Sequence, residues 1–191
     1  MNIYLIGCEY AGKTTLAGEI MEWADQHMGG TRHFHDHFTI PSSELSPEAA
    51  ESYRHAHPQL KEMTQRYVLS YHISPEMYAG HRDANLMGHA IEEAVYAPLY
   101  YGYGGQGEFA DRRKLSFSIE HKIMEHAPDT VMVLVKASTE AIARRMKAHP
   151  HEHGLLRETD IEPVLQRFED EHGWSRVRHK LVLDTSAATP D

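Results

Sequence analysis

The sequence predicts an α/β domain in which a parallel sheet of about five strands is covered by helices on both faces. Short, nearly continuous apolar runs at residues 2–7 and 130–135 are typical of strands buried on both faces. Segments with apolar residues at helical spacing follow such runs, and strands that alternate with helices indicate a parallel sheet. A chain of 191 residues, 41% of them hydrophobic, is long enough for one domain and short for two. We therefore expect a single domain over residues 1–191.

The elements of the first half follow from local signals. After the first strand, apolar residues at helical spacing predict a helix over 14–28, which the glycine pair at 29–30 ends. A second strand over 32–40 ends before Pro41. Ser46 and Pro47 begin the next helix as N-cap and first helical residue. Another helix starts near Pro58, and its buried face is expected to carry Leu60, Met63, Tyr67, Val68 and Tyr71.

The second half continues the alternation. A third strand is expected over 85–91 and a helix over 111–126. The strand at 130–135 precedes a helix that Ser138 caps and that runs to about His149. Asp160 is expected to cap the next helix, Gly173 to end it, and residues 180–183 to form the last strand.

One motif dominates the sequence: residues 7–15 read GCEYAGKTT and match G-x-x-x-x-G-K-[ST]. Gly7 and Gly12 permit backbone angles and close approach that side chains would block. The loop amides and the helix N-terminus then point at phosphate oxygens. Lys13 supplies a positive charge to the β- and γ-phosphates, and Thr14 offers its hydroxyl to Mg²⁺. The expected nucleotide contacts are Gly7, Glu9, Tyr10, Ala11, Gly12, Lys13, Thr14 and Thr15.

With this motif the chain resembles the P-loop kinases, in particular the nucleoside and nucleotide kinase branch with its thymidylate-kinase-like and uridine-kinase-like members. The resemblance implies the three-layer P-loop NTPase fold with strand order 2-3-1-4-5 and a helical lid. It also implies phosphoryl transfer from ATP·Mg²⁺. In this branch the segment between the second and third strands covers the acceptor substrate, which assigns that role here to residues 41–80.

Carboxylates stand where two strands are expected to end. Asp36, in FHDHF, resembles the D-x-F aspartate of uridine-kinase-like enzymes, and it could orient or deprotonate an acceptor hydroxyl. Glu92 and Glu93 resemble the acidic residue that follows the third strand in the kinase branch. One of the two is expected to hold magnesium or a substrate group, and we favour Glu92. Both also fit a solvated helix start, where acidic residues suit the helix dipole.

Arginines and histidines mark the lid, expected over residues 145–160. The segment from Asp129 to Arg145 is similar to a thymidylate-kinase segment that precedes a lid. That resemblance implies that Arg145 and Arg157, with Arg144 as the alternate, offset charge on the transferring phosphoryl group. Arg82 could meet a phosphate on the acceptor.

The sixteen histidines include two alternating series, His33, His35 and His37 and then His149, His151 and His153. A metal site is one interpretation of them. Solvated or substrate-contacting histidines are the other.

The composition excludes several classes of protein. With 28 acidic and 19 basic residues the formal charge is −9, which argues against a nucleic-acid partner or an anionic membrane. No run approaches the roughly 18 uncharged apolar residues that a membrane helix needs, and the N-terminus lacks the basic region of a signal peptide. A lone Cys8 excludes an internal disulfide framework and suits a reducing cytoplasm, which is the expected location.

Besides a P-loop domain that binds ATP without transferring its phosphate, two functions remain open from the sequence. The first is an ATP-dependent kinase that phosphorylates a nucleoside, nucleotide or similar small acceptor, acting as a monomer or a homodimer. The alternative is a P-loop ATPase or nucleotide-binding switch without a small acceptor. The absence of N-K-x-D, the guanine-reading motif, weighs against a GTPase.

Overall fold

The computed structural model describes residues 2–29, 33–36, 45–70, 74, 84–152 and 154–189. For residues 33–36, 84 and 89 only the backbone is described. Arg82, His37 and His153 therefore lie outside the described residues, as does the side chain of Asp36.

Five strands form one parallel sheet in the order β2-β3-β1-β4-β5, which confirms the expected fold class and topology. At its centre Tyr4 pairs with Leu86 on one side and Met132 on the other, and all three side chains are buried. The strands are β1 (Asn2–Ile6), β2 (His33–Asp36), β3 (Ala84–Met87), β4 (Val131–Lys136) and β5 (His179–Asp184).

The helices that connect these strands begin largely at the predicted caps. The hydroxyls of Ser46 and Ser138 accept from the backbone of the first turn, as predicted, and Asp111 caps a third helix in the same way. A π-helical turn at Ala97–Tyr101 prolongs α4, and a 3₁₀ turn at Glu158–Asp160 precedes α7. The helices are α1 (Lys13–Met28), α2 (Pro47–His55), α3 (Pro58–Leu69), α4 (His89–Tyr96), α5 (Arg112–His126), α6 (Thr139–Ala148) and α7 (Ile161–Trp174).

Several boundaries differ from the sequence prediction. The third strand ends at Met87 instead of continuing to residue 91, because Gly88, at φ 81°, turns the chain directly into α4. Asp160 makes no side-chain cap and accepts the hydroxyl of Tyr100 instead. Gly173 lies inside α7, which ends one residue later. Between α6 and α7 the expected helical lid is irregular apart from its one 3₁₀ turn.

The apolar face predicted for α3 is largely not its buried face, although Val68 is half-buried and Tyr71 lies outside the described residues. Leu60, Met63 and Tyr67 are exposed. The buried face instead carries Lys61, Glu62, Gln65 and Leu69. Polar neighbours cause this reversal, because the opposing surface offers hydrogen-bond and charge partners for these side chains.

The core lies on both faces of the sheet. Leu5, Ile6 and Val135 from the central strands pack with Ile91 of α4 and Phe168 of α7 in one buried cluster. Within the described ranges, no helix combines the length and apolar composition needed to cross a bilayer.

Candidate active site

The phosphate loop joins the end of β1 to the start of α1, as its motif demands. Gly12 is the N-cap of α1, at φ 94°, and Lys13 is the first helical residue. Gly7 has φ 149°, and a Cβ on it would lie 2.1 Å from the backbone oxygen of Val135. Any side chain at position 7 would therefore overlap β4, which explains why the turn out of β1 requires glycine.

Lys13 is the charged centre of the loop. Its ammonium donates to the backbone oxygens of Gly7 at 2.6 Å and Cys8 at 3.2 Å. The same nitrogen lies 3.0 Å from Oε1 of Glu92, and both side chains are largely buried. Of the two glutamates that open α4, Glu92 is thus the one at the phosphate loop. Its predicted part in holding an acceptor stays a prediction.

Glu93 points away from the loop into a buried charge cluster. Its Oε2 accepts from Arg112 Nε at 3.2 Å and from the Tyr103 hydroxyl at 3.0 Å. Arg112 also donates to Glu62 Oε1 at 3.2 Å, so two buried carboxylates share this guanidinium. Burial raises the pKa of Glu93 to about 7, against the opposing pull of Arg112. This cluster ties α4 to α3 and α5.

Residues with oxygen donors that would suit a metal ion lie near Lys13. Thr14 is exposed at the first turn of α1, and its hydroxyl lies 3.9 Å from the Met87 sulfur at the end of β3. Met87 pairs in register with Asp36 at the end of β2. A hydroxyl, the Glu92 carboxylate and a strand-end aspartate therefore stand at one edge of the sheet, and hard oxygen donors are what Mg²⁺ prefers.

The structure separates the arginines predicted for the lid. Arg145 lies half-buried in α6 and donates to Tyr10 O at 3.0 Å, Thr185 Oγ1 at 3.1 Å and Thr185 O at 2.5 Å. Its guanidinium group therefore links the phosphate loop to the segment after β5 by hydrogen bonds. Arg157 is exposed, with its guanidinium 5.8 Å from the centre of the Tyr100 ring. Arg144 is exposed on α6. The catalytic roles of Arg145 and Arg157 stay predictions.

Two loop residues take part in ways that the motif does not specify. The backbone N–H of Glu9 donates to the buried hydroxyl of Tyr96 at 2.9 Å, so this amide is held by α4. Cys8 is buried beside the same tyrosine, and desolvation raises the pKa of its thiol to about 12. The side chains of Glu9 and Tyr10 face the lid. Because these positions are unspecified in the motif, the sequence carries no signal of these contacts.

The segment that the sequence assigns to the acceptor, residues 41–80, contributes polar and aromatic side chains. Gln65 donates to the Tyr53 hydroxyl at 3.1 Å. The Lys61 ammonium lies 5.1 Å from the centre of the Tyr101 ring, and Tyr53 packs edge-on against that ring. In the part of the chain that the structure describes, no three His, Cys, Asp or Glu side chains are grouped as metal ligands.

Comparisons with known proteins give a consistent fold. No protein-family model and no curated protein sequence matches the chain. The solved structure of the YorR protein from Bacillus subtilis with phosphorylated GDP matches with a TM-score of 0.60 at 16% identity, covering 100% of this chain and 90% of that one. Deoxyadenosine kinase from M. mycoides with dATP matches with a TM-score of 0.58 at 16% identity, covering 96% and 91%.

Thymidylate kinase from Candida albicans matches with a TM-score of 0.62 at 12% identity, covering 100% of this chain and 85% of that enzyme. At this level of sequence identity, the structural similarity shows the fold and does not identify the substrate or the activity. The topology, the phosphate loop and these neighbours together show that the chain has the fold of the P-loop kinases, with the nucleoside and nucleotide kinases among its structural neighbours.

Proposed function

We propose that this chain is an ATP-dependent kinase that transfers the γ-phosphoryl group to a nucleoside, nucleotide or similar small acceptor. The observation that carries the proposal is the ion pair between Lys13 of the phosphate loop and Glu92 at the start of α4, at 3.0 Å. The pair joins a phosphate-binding cation to a carboxylate at the C-terminal edge of the parallel sheet, where α/β proteins bind their ligands.

Each residue has a definite task in this proposal. The loop amides and Lys13 bind the β- and γ-phosphates, and the helix dipole of α1 favours the negative charge there. Thr14 and Glu92 would hold Mg²⁺, which supplies charge neutralisation between the phosphates. Asp36 at the end of β2 orients the acceptor hydroxyl or accepts its proton. Arg145, already bonded to Tyr10 O, stands where a guanidinium can offset charge near the phosphates.

The surroundings support transfer to a small molecule. The segment after α6 lies against the phosphate loop, so it can exclude water from the phosphates. On the opposite side α3 presents buried polar side chains beside tyrosines, a lining that suits a hydrogen-bonding acceptor. Kinases with bound nucleotide among the structural neighbours support a nucleoside-like acceptor as the first class to test.

The proposal is tested by measuring ADP release from ATP·Mg²⁺ over a panel of nucleosides, nucleoside monophosphates and sugars. We expect release to depend on one acceptor class. Lys13→Ala should lower that turnover on the order of a hundredfold or more, since it removes a preorganised charge from the transition state. Lys122→Ala, which removes an exposed lysine paired with Glu125, is the matched control and should leave turnover unchanged. Release that responds only to a protein partner would instead support the nucleotide-binding switch.

A further inference from the structure

We propose that Glu9 is a positioning residue whose carboxylate fastens the lid (residues 145–160) to the phosphate loop. Its Oε1 accepts the backbone N–H groups of Leu155 at 3.0 Å and Leu156 at 3.1 Å. Its Oε2 lies 3.3 Å from His151 Nδ1. One carboxylate therefore holds the lid at two places, and its side chain is only 8% exposed. The contacts are geometric facts of the chain, whereas their catalytic consequence rests on the proposed kinase function.

Tyr10 reinforces the same contact from the next loop position. Its ring stacks on His151 with centroids 4.0 Å apart and an interplanar angle of 19°, and its hydroxyl accepts the His151 N–H at 2.9 Å. Tyr10 has φ 63°, a conformation that residues other than glycine rarely adopt. Such a backbone persists where its surroundings fix it, and here His151 holds the Tyr10 side chain while Arg145 binds the Tyr10 carbonyl.

The lid backbone is shaped to reach this carboxylate. A Cβ on Gly154 would lie 3.0 Å from Glu9 Oε2 and 3.2 Å from the Cβ of His151. Glycine thus permits the close approach that puts the next two amides on Glu9. Leu156 is buried in the main core, which fixes the far side of the lid.

The arrangement couples nucleotide binding to lid position. Glu9 and Tyr10 belong to the loop whose amides cradle phosphates, while their side chains bind the lid. A loop held in its phosphate-binding shape therefore also presents the two anchors of the lid. With the anchor removed, the lid would spend less time over the phosphates, and water would compete with the acceptor for the γ-phosphoryl group.

Hydrogen exchange tests the contact itself. In Glu9→Ala the Leu155 and Leu156 amides should exchange on the order of tenfold faster, because both lose their acceptor oxygen. Glu9→Gln keeps an Oε1 that can accept both amides and should stay near wild type. Glu19→Ala, an exposed glutamate of α1, is the matched control. Unchanged exchange at both amides in Glu9→Ala would overturn the proposal. Gly154→Ala provides a second route, since it pushes the lid from Glu9 while the carboxylate stays, and it should accelerate the same amides.

Activity then tests the positioning role. The ratio of acceptor-dependent transfer to acceptor-independent ATP hydrolysis should fall about fivefold or more in Glu9→Ala and recover in Glu9→Gln. Faster exchange with an unchanged ratio would refute positioning. A wild-type chain that phosphorylates no acceptor would instead contradict the proposed function, and the exchange measurement would still decide whether Glu9 holds the lid.

Discussion

The buried carboxyl of Glu93 makes a quantitative prediction about stability and pH. It is fully buried and shares the Arg112 guanidinium with Glu62, which also pairs with the more exposed Arg66. Desolvation therefore dominates and raises the pKa of Glu93 from its ordinary 4.5 to about 7. A carboxyl group whose pKa is higher in the folded protein than in the unfolded chain stabilises the fold. This stabilisation is complete below the pKa of the unfolded chain and is lost as the pH rises through the pKa of the folded protein.

The magnitude follows from the two pKa values. Between about pH 5 and about pH 8, ionisation favours the unfolded chain increasingly, and the contribution of this one group to the unfolding free energy falls by about 2–3 kcal/mol. Glu93→Gln keeps the shape and stays neutral throughout. Over the same pH range, the unfolding free energy of the variant should therefore rise by about 2–3 kcal/mol relative to that of the wild type.

The assay is urea unfolding of both proteins across this pH range, followed by circular dichroism. The difference between the two proteins isolates position 93 because other titrating groups are common to both. A difference that stays constant with pH would refute the reasoning, since it would mean that Glu93 is already ionised in the folded protein at pH 5. Glu169→Gln, an exposed carboxylate paired with Lys136, is the matched control and should show no such trend.

Three further predictions follow from the phosphate loop. Gly7→Ala should lose about 3 kcal/mol or more of unfolding free energy, because its Cβ would overlap the Val135 oxygen at 2.1 Å; an unchanged urea midpoint would contradict this. Arg145→Lys should raise the KM for ATP and cost about 1–2 kcal/mol of stability, since an ammonium does not reproduce the fork to Tyr10 and Thr185; a wild-type KM and stability would count against it. Cys8 should resist thiol reagents until the chain unfolds, because the thiol is buried with a pKa of about 12; rapid labelling of the native protein would be the opposite result.

Much of the fold could be predicted because its signals are local. The apolar runs of β1 and β4 form the strands at the centre of the sheet, with β1 mostly buried and β4 buried at Met132, Leu134 and Val135. The serines at positions 46 and 138 cap their helices because a hydroxyl at such a position satisfies free backbone amides. The phosphate loop was likewise readable, since glycine is needed where the backbone approaches β4.

The remaining features depend on tertiary partners that no local pattern contains. The apolar stripe of α3 suggested a buried face, yet Glu62 and Gln65 are buried because Arg112 and Tyr53 meet them across the fold. The choice between Glu92 and its neighbour was undetermined for the same reason. Glu92 and Glu93 are adjacent in sequence but lie on different sides of α4, and only Glu92 contacts Lys13.

The contacts of the lid could not be predicted from the sequence. The sequence predicts catalytic arginines there, and that role stays a prediction; the structure adds that Arg145 donates to Tyr10 O and to both oxygens of Thr185. The backbone amides of Leu155 and Leu156 bind the carboxylate of Glu9, a position that the motif leaves unspecified. Long-range contacts between a carboxylate and backbone amides leave no periodicity or spacing in the sequence, so they could be found only from the structure.

The central claim is phosphoryl transfer, and the most direct measurement follows the γ-phosphoryl group itself. Wild-type chain and Lys13→Ala are incubated with γ-labelled ATP, Mg²⁺ and the acceptor panel, and the labelled products are separated. We expect label to reach a small acceptor with the wild type and this transfer to be lost with Lys13→Ala. Label found only in inorganic phosphate, whatever acceptor is present, would contradict it.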